Sequence, residues 1–171
     1  MIDTDKKALL QLARQTISAG VASVSTVPPN TALAQYSGVV IALYNGAVLR
    51  GRSVFLQATR PLYRAVALAA DQAAFHDLRF PPVAVTEIAA LKIEINVLSA
   101  LMPIGAGDIS VDKQGLYAGD TEGKWAVMLP HEATANGWTS DQFFAAVCKK
   151  GGFATSACCV LKTFTAETFS E

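Results

Sequence analysis

The sequence predicts an α+β fold: one domain of two lobes over residues 1–171, with an antiparallel or mixed sheet and about three main helices. Three observations carry this. Strand-like and helix-like runs follow one another without the regular βαβ alternation of a doubly wound sheet. Hydrophobic residues are 51% of the chain and charged ones only 16%, against ~25% charged in an average domain, so material for a core is plentiful. The 14 basic and 14 acidic residues cancel, which argues against a strongly basic nucleic-acid binder and an acidic disordered tail.

The elements follow in order. Leu9, Ala13, Thr16, Ile17 and Gly20 recur at helical spacing, so a first helix is expected with Thr4 as N-cap and Gly20 as stop. Thr26-Val27-Pro28-Pro29-Asn30 reads as a loop, because proline pushes the residue before it out of the helical region. Gly38-Val39-Val40-Ile41-Ala42-Leu43-Tyr44 and Ala47-Val48-Leu49-Arg50-Gly51 flank Asn45-Gly46, the chemistry of a type I′ hairpin. A second helix runs from Pro61 to about Phe75 or His76, and Phe80-Pro81-Pro82 prevents its continuing. Leu91 to Leu98 alternates apolar with polar and is a strand. Further strands are expected around Asp112-Lys113-Gln114-Gly115 and from Glu122 to Leu129, with Gly119 and Gly123 bracketing a tight connection. Thr139-Ser140-Asp141-Gln142 fits a capping box, Trp138 and Phe143 a hydrophobic staple, and Gly151-Gly152 a helix end. A strand through Val160, Lys162 and Phe164 closes the chain.

Met1 to Lys7 lacks the apolar core of a secretory signal, and no run reaches the ~18 apolar residues of a membrane span. The expectation is a cytoplasmic protein without membrane or nucleic-acid partners. Cys148, Cys158 and Cys159 are odd in number and form no C-x-x-C pair, so neither a disulfide framework nor a zinc knuckle fits. They are either a reactive thiol or small buried hydrophobes, and a reducing compartment favours the second. His131-Glu132 lacks the second histidine of H-E-x-x-H, and phosphate-loop, dinucleotide-turn and nucleophile-elbow motifs are absent. No metal or cofactor is expected.

The zero net charge hides a division. Residues 45–82 hold Arg50, Arg52, Arg60, Arg64 and Arg79 against Asp71 and Asp77, a net +3 without lysine. Residues 108–141 hold six acids against Lys113 and Lys124, a net −4. A guanidinium is a planar fork that can grip a carboxylate or phosphate in two places. Strand alternation places Arg50 and Arg52 on one face, and Gly51 between them leaves backbone accessible to a ligand. The competing expectation is that these arginines pair with internal acids such as Asp77 or Glu94, or with the acidic segment across the fold, and fasten two lobes.

Leu49-Arg50-Gly51 after a hairpin, Ala73-Ala74-Phe75-His76-Asp77-Leu78-Arg79-Phe80-Pro81-Pro82, Glu94 with Val97-Leu98-Ser99, Leu129-Pro130, Gly137-Trp138, Cys148-Lys149-Lys150-Gly151 and Phe169-Ser170-Glu171 together resemble the AMME chromosomal-region protein family. In prokaryotes that family supplies protein A of the AmmeMemoRadiSam system. The resemblance implies a two-lobed α+β domain with a cleft beside the L-R-G motif, often encoded near Memo-like and radical SAM proteins, and no settled activity. The family hexapeptide L-R-G-C-I-G departs here to Arg52-Ser53-Val54, so an arginine stands where the family has cysteine. Leu78 likewise stands where the family usually has proline, and His131 where glutamine is common.

Three functions follow as expectations. The first is a non-catalytic binding or accessory domain for an anionic small molecule or peptide end at Arg50, Gly51, Arg52, Arg79 and His131, acting with Memo-like and radical SAM partners. The second is an enzyme using His131, His76 or Asp77 as acid or base. The third is an interaction module that associates head to tail or as a symmetric homodimer.

Overall fold

The computed structural model describes residues 1–20 and 31–171; the expected loop at Thr26–Asn30 lies outside them. The chain divides into two compact units, Met1–Leu98 with Glu167–Glu171 (unit 1) and Ser99–Ala166 (unit 2). Unit 2 is therefore an insertion into the sequence of unit 1. The fold is α+β, with two four-stranded sheets.

Unit 1 contains α1 (Asp3–Ala19), α2 (Thr31–Ala34), β1 (Gly38–Asn45), β2 (Val48–Phe55), α3 (Leu62–Phe75), a 3-10 segment Val85–Ala90 and β3 (Leu91–Leu98). Its sheet order is β2-β1-β3-β8, where β8 is Ala166–Ser170. One face of the sheet, with Val39, Ile41, Leu43, Ile93 and Ile95, packs with α1 through Leu9, Leu12, Ala13 and Ile17, and with α3 through Leu62, Val66 and a run of alanines. Those alanines let α3 come very close to β2. A Cβ built on Gly51 would lie 2.0 Å from the Ala73 carbonyl oxygen, nearer than any side chain tolerates, so only glycine fits there.

Several local expectations need correction. Helix α1 starts at Asp3 with Ile2 as N-cap and no side-chain cap bond, so Thr4 lies inside the helix. The hairpin loop is Gly46-Ala47, since Asn45 still pairs with Val48. Only Gly46 has positive φ (60°), the pattern of a type II′ rather than a type I′ turn.

Unit 2 holds β4 (Met102–Pro103), β5 (Gly115–Asp120), β6 (Trp125–Met128), α4 (Pro130–Asn136), α5 (Ser140–Gly151) and β7 (Cys158–Phe164), with sheet order β4-β7-β5-β6. Leu116, Ala118, Ala126 and Met128 meet Phe143, Val147 and Cys148 of α5 in its core. Asp112–Gln114 is not a strand. Ser110 accepts from the Gln114 N–H (3.0 Å) and donates its own N–H to Gln114 Oε1 (2.8 Å), closing a turn that delivers the chain to β5. The chain also ends in two strands rather than one, β7 in this sheet and β8 in the other. Where the chain passes into and out of unit 2, the Ser99 N–H donates to the Thr165 carbonyl (3.0 Å) and the Thr165 N–H to Ser99 Oγ (2.9 Å). No helix among the described residues is long and apolar enough to cross a membrane.

Candidate functional site

The arginine-rich strand β2 carries a register shift: Leu43 faces Gly51 while Tyr44 faces Leu49. Arg50 is the extra residue of this bulge, so the two-residue alternation that would put Arg50 and Arg52 on one face does not run through it. Arg50 Nε and Nη2 grip Glu87 Oε1 and Oε2 at 3.1 and 3.0 Å, and Nη1 and Nη2 donate to the Pro81 and Pro82 carbonyls at 2.9 and 3.3 Å. Glu87 is held below its ordinary pKa by Arg50 and then by the Ala84 N–H. Arg50 thus fastens the segment after α3 to β2.

Asp77 makes the second fastening. Its Oδ2 accepts from the Arg52 backbone N–H (2.9 Å) and Arg79 Nη2 (2.7 Å), while Oδ1 accepts from the Arg79 backbone N–H (3.1 Å) and Nε (2.9 Å). The Asp77 side chain is 7% exposed although Arg79 is 57% exposed. The bidentate hydrogen bond from Arg79 lowers its pKa from 3.8 to about 2, burial opposing and the Arg52 N–H assisting. At neutral pH Asp77 is an ionised structural anchor and a poor proton acceptor.

Gly51 was expected to admit a ligand to the backbone, but α3 occupies that space through the Ala73 carbonyl. Arg52 falls opposite Ala42, and Ala42 falls opposite Glu94. The three form a cross-strand row on the sheet face turned away from the α1/α3 core, with the small Ala42 between an arginine and a carboxylate. Next along that face, Asn96 is fully buried. Its Nδ2 donates to Glu94 Oε1 (3.1 Å), and its Oδ1 accepts from Thr168 Oγ1 (2.7 Å) on β8. A buried amide with both ends bonded fixes the orientation of its neighbours.

The structure therefore brings Arg50, Gly51, Arg52, Asp77 and Arg79 together around β2. His76 caps α3 with Nε2 3.4 Å from Asp71 Oδ2 and is 56% exposed. His131 is exposed in the first turn of α4 in unit 2. Sequence reasoning missed Asn96 and Thr168. The alternation of Leu91–Leu98 marked Glu94 and Asn96 as one face of a strand, but their burial and the bond to β8 depend on pairing across 72 residues. Among the described residues no group of three or more His, Cys, Asp or Glu could hold a metal ion. Cys148 is buried and its thiol is pushed up to about 11, chiefly by desolvation, which makes it inert at neutral pH.

Residues 10–171 match the AMMECR1 family. Protein MK0488 of Methanopyrus kandleri is 30% identical over 180 residues, covering 95% of this chain and 86% of its own length. A protein of Methanothermobacter thermautotrophicus is 33% identical over 124 residues, which are 69% of this chain and 65% of that relative. The crystal structure of uncharacterized protein PH0010 from Pyrococcus horikoshii aligns with a TM-score of 0.84 at 28% identity, covering 96% of this chain and 90% of that one.

Proposed function

The chain belongs to the AMMECR1 family, and from that premise we propose that it is a non-catalytic binding or accessory domain that receives an anionic small molecule or peptide end at Arg52. The observation that carries this reading is the row Arg52, Ala42 and Glu94, extended by Asn96 and Thr168. It lines up Arg52, an acid and an amide on one sheet face across the small Ala42, which suits a ligand with acceptor and donor groups side by side. Arg52 occupies the cysteine position of the family hexapeptide, so the site presents a fixed cation where a nucleophile would otherwise stand.

Arg50, Gly51 and Arg79 serve this site as positioning residues. They hold β2 against α3 and, through Asp77, fix the backbone N–H of Arg52. Acid–base catalysis gains little support, because Asp77 is tied down as an anion and His76 and His131 are exposed. His131 is not needed by the proposed row, which lies wholly in unit 1. Memo-like and radical SAM proteins are the partners proposed for a ligand-carrying role.

A thermal-shift panel of small carboxylates and phosphates tests the reading. A compound that raises the melting temperature of the wild type should lose its effect in Arg52→Ala, with the unliganded melting temperature little changed. An unchanged shift rejects the site. Turnover of a panel compound that disappears in His131→Ala would favour the enzyme reading instead.

A further inference from the structure

Arg14, Arg50 and Arg79 each grip a carboxylate, from Glu171, Glu87 and Asp77 respectively. Arg60 and Arg64 are built differently. Among the described residues neither has a carboxylate partner, and each lies instead on an aromatic ring. Arg60 Cζ is 5.3 Å from the centroid of Phe55, and Arg64 Cζ is 5.9 Å from that of Tyr63, whose hydroxyl also accepts from Arg64 Nε at 3.2 Å.

Tyr36 joins them. Its backbone bridges to Pro61, between the two arginines in sequence, and the Leu62 N–H donates to the Gln35 carbonyl at 2.8 Å. Tyr36 is nonetheless 61% exposed. Stacking holds a guanidinium plane in place, covers one apolar face and leaves N–H edges turned outward. Less side-chain freedom is then lost when a carboxylate arrives. Exposed tyrosine beside arginine is also the composition that anchors protein interfaces.

We propose that Tyr36, Phe55, Arg60, Tyr63 and Arg64 form a recognition surface for an acidic peptide segment of a partner protein. Its carboxylates are taken by the two guanidinium forks and an intervening apolar side chain by the rings. The occupant is argued from charge: Arg64 is exposed, Arg60 is half-buried, and among the described residues neither meets an internal acid, whereas two cations are few for the run of phosphate contacts on which nucleic-acid binding rests. This surface is separate from the Arg52 row and does not depend on it.

Fluorescence anisotropy with a labelled peptide of alternating glutamate and leucine tests the proposal, beside a lysine–leucine peptide and a single-stranded RNA of equal length. The acidic peptide should bind, and binding should weaken as salt rises. Arg60→Glu with Arg64→Glu should weaken it by about tenfold or more, and Arg60→Lys with Arg64→Lys by several-fold, since lysine keeps the charge but loses the fork and the stack. Should the double reversal fail to fold, Arg64→Glu alone carries the test, that side chain being exposed. The proposal is overturned by absence of binding at low salt, by unchanged affinity in the reversed variant, or by RNA binding as tightly as the acidic peptide. It is equally overturned by a dimer that the reversed variant abolishes, which would assign the surface to a second copy. Loss of the small-molecule shift in Arg52→Ala bears only on the other site.

Discussion

In unit 1 the chain leaving α3 is held by ions: Asp77 ties Arg79 to the backbone of β2, and Arg50 ties Glu87 and two prolyl carbonyls to the same strand. In unit 2 the corresponding joint, where β6 passes into α4 and α5, is held mainly by helix capping. Glu132 accepts from the Leu129 N–H, Gly137 takes a left-handed conformation, and Thr139 and Gln142 exchange capping bonds at 3.3 and 2.9 Å. Trp138 stacks on Phe143 with centroids 6.4 Å apart. The contrast teaches that one sequence can fix two similar joints by different physics. The ionic joint reaches across 25 and 37 residues of sequence, and the capped joint is built mostly from bonds between close neighbours, its Glu132 carboxylate also lying 3.5 Å from Lys150 Nζ.

The sharpest way to break the ionic side is steric. Gly51→Ala would drive a methyl group into the Ala73 carbonyl, so α3 must separate from β2. The expected loss is ~3 kcal/mol, read by denaturant unfolding, and a loss below ~1 kcal/mol would mean that the close contact is not needed. Asp77→Asn sharpens the comparison next. The Asp77 pKa is lowered from 3.8 to about 2 on folding, so its contribution is complete above the unfolded value and disappears as pH falls through about 2. At neutral pH the substitution should cost about 1–2 kcal/mol, allowing for the solvent that screens Arg79, and the stability curves of wild type and variant should converge towards pH 2. Parallel curves would remove Asp77 from the role given to it. The smallest effect belongs to unit 2: Thr139→Ala should cost ~1 kcal/mol, by the same amount across that acid range.

The same contrast explains what could be read in advance. The capping box at Thr139 and Gln142, the staple at Trp138 and Phe143 and the end of α5 at Gly152 are local, and their residues sit within a few positions of one another. Helix α4 carried an equally local signal, proline at its first position and Glu132 two residues on. The bulge at Arg50 had no such signal, since it arises from how β1 and β2 align and not from any residue type. That misalignment is why the alternation that puts Arg50 and Arg52 on one face does not hold here. Glu87 as the partner of Arg50 lies 37 residues away in a 3-10 segment with no periodic pattern. For the candidate site, the hairpin and the arginines were legible, whereas Asn96 and Thr168 became visible only through strand pairing.

The insertion of unit 2 between β3 and β8 also sets an order of assembly on the ribosome. All of β4 to β7 is synthesised before Thr168 exists, so unit 2 has every residue of its own core in hand while the first sheet still lacks a strand. Until β8 arrives, Asn96 has no hydroxyl to satisfy its carbonyl, and the row beside Glu94 stays unfinished. The first sheet is therefore completed only after every residue of unit 2 has been made.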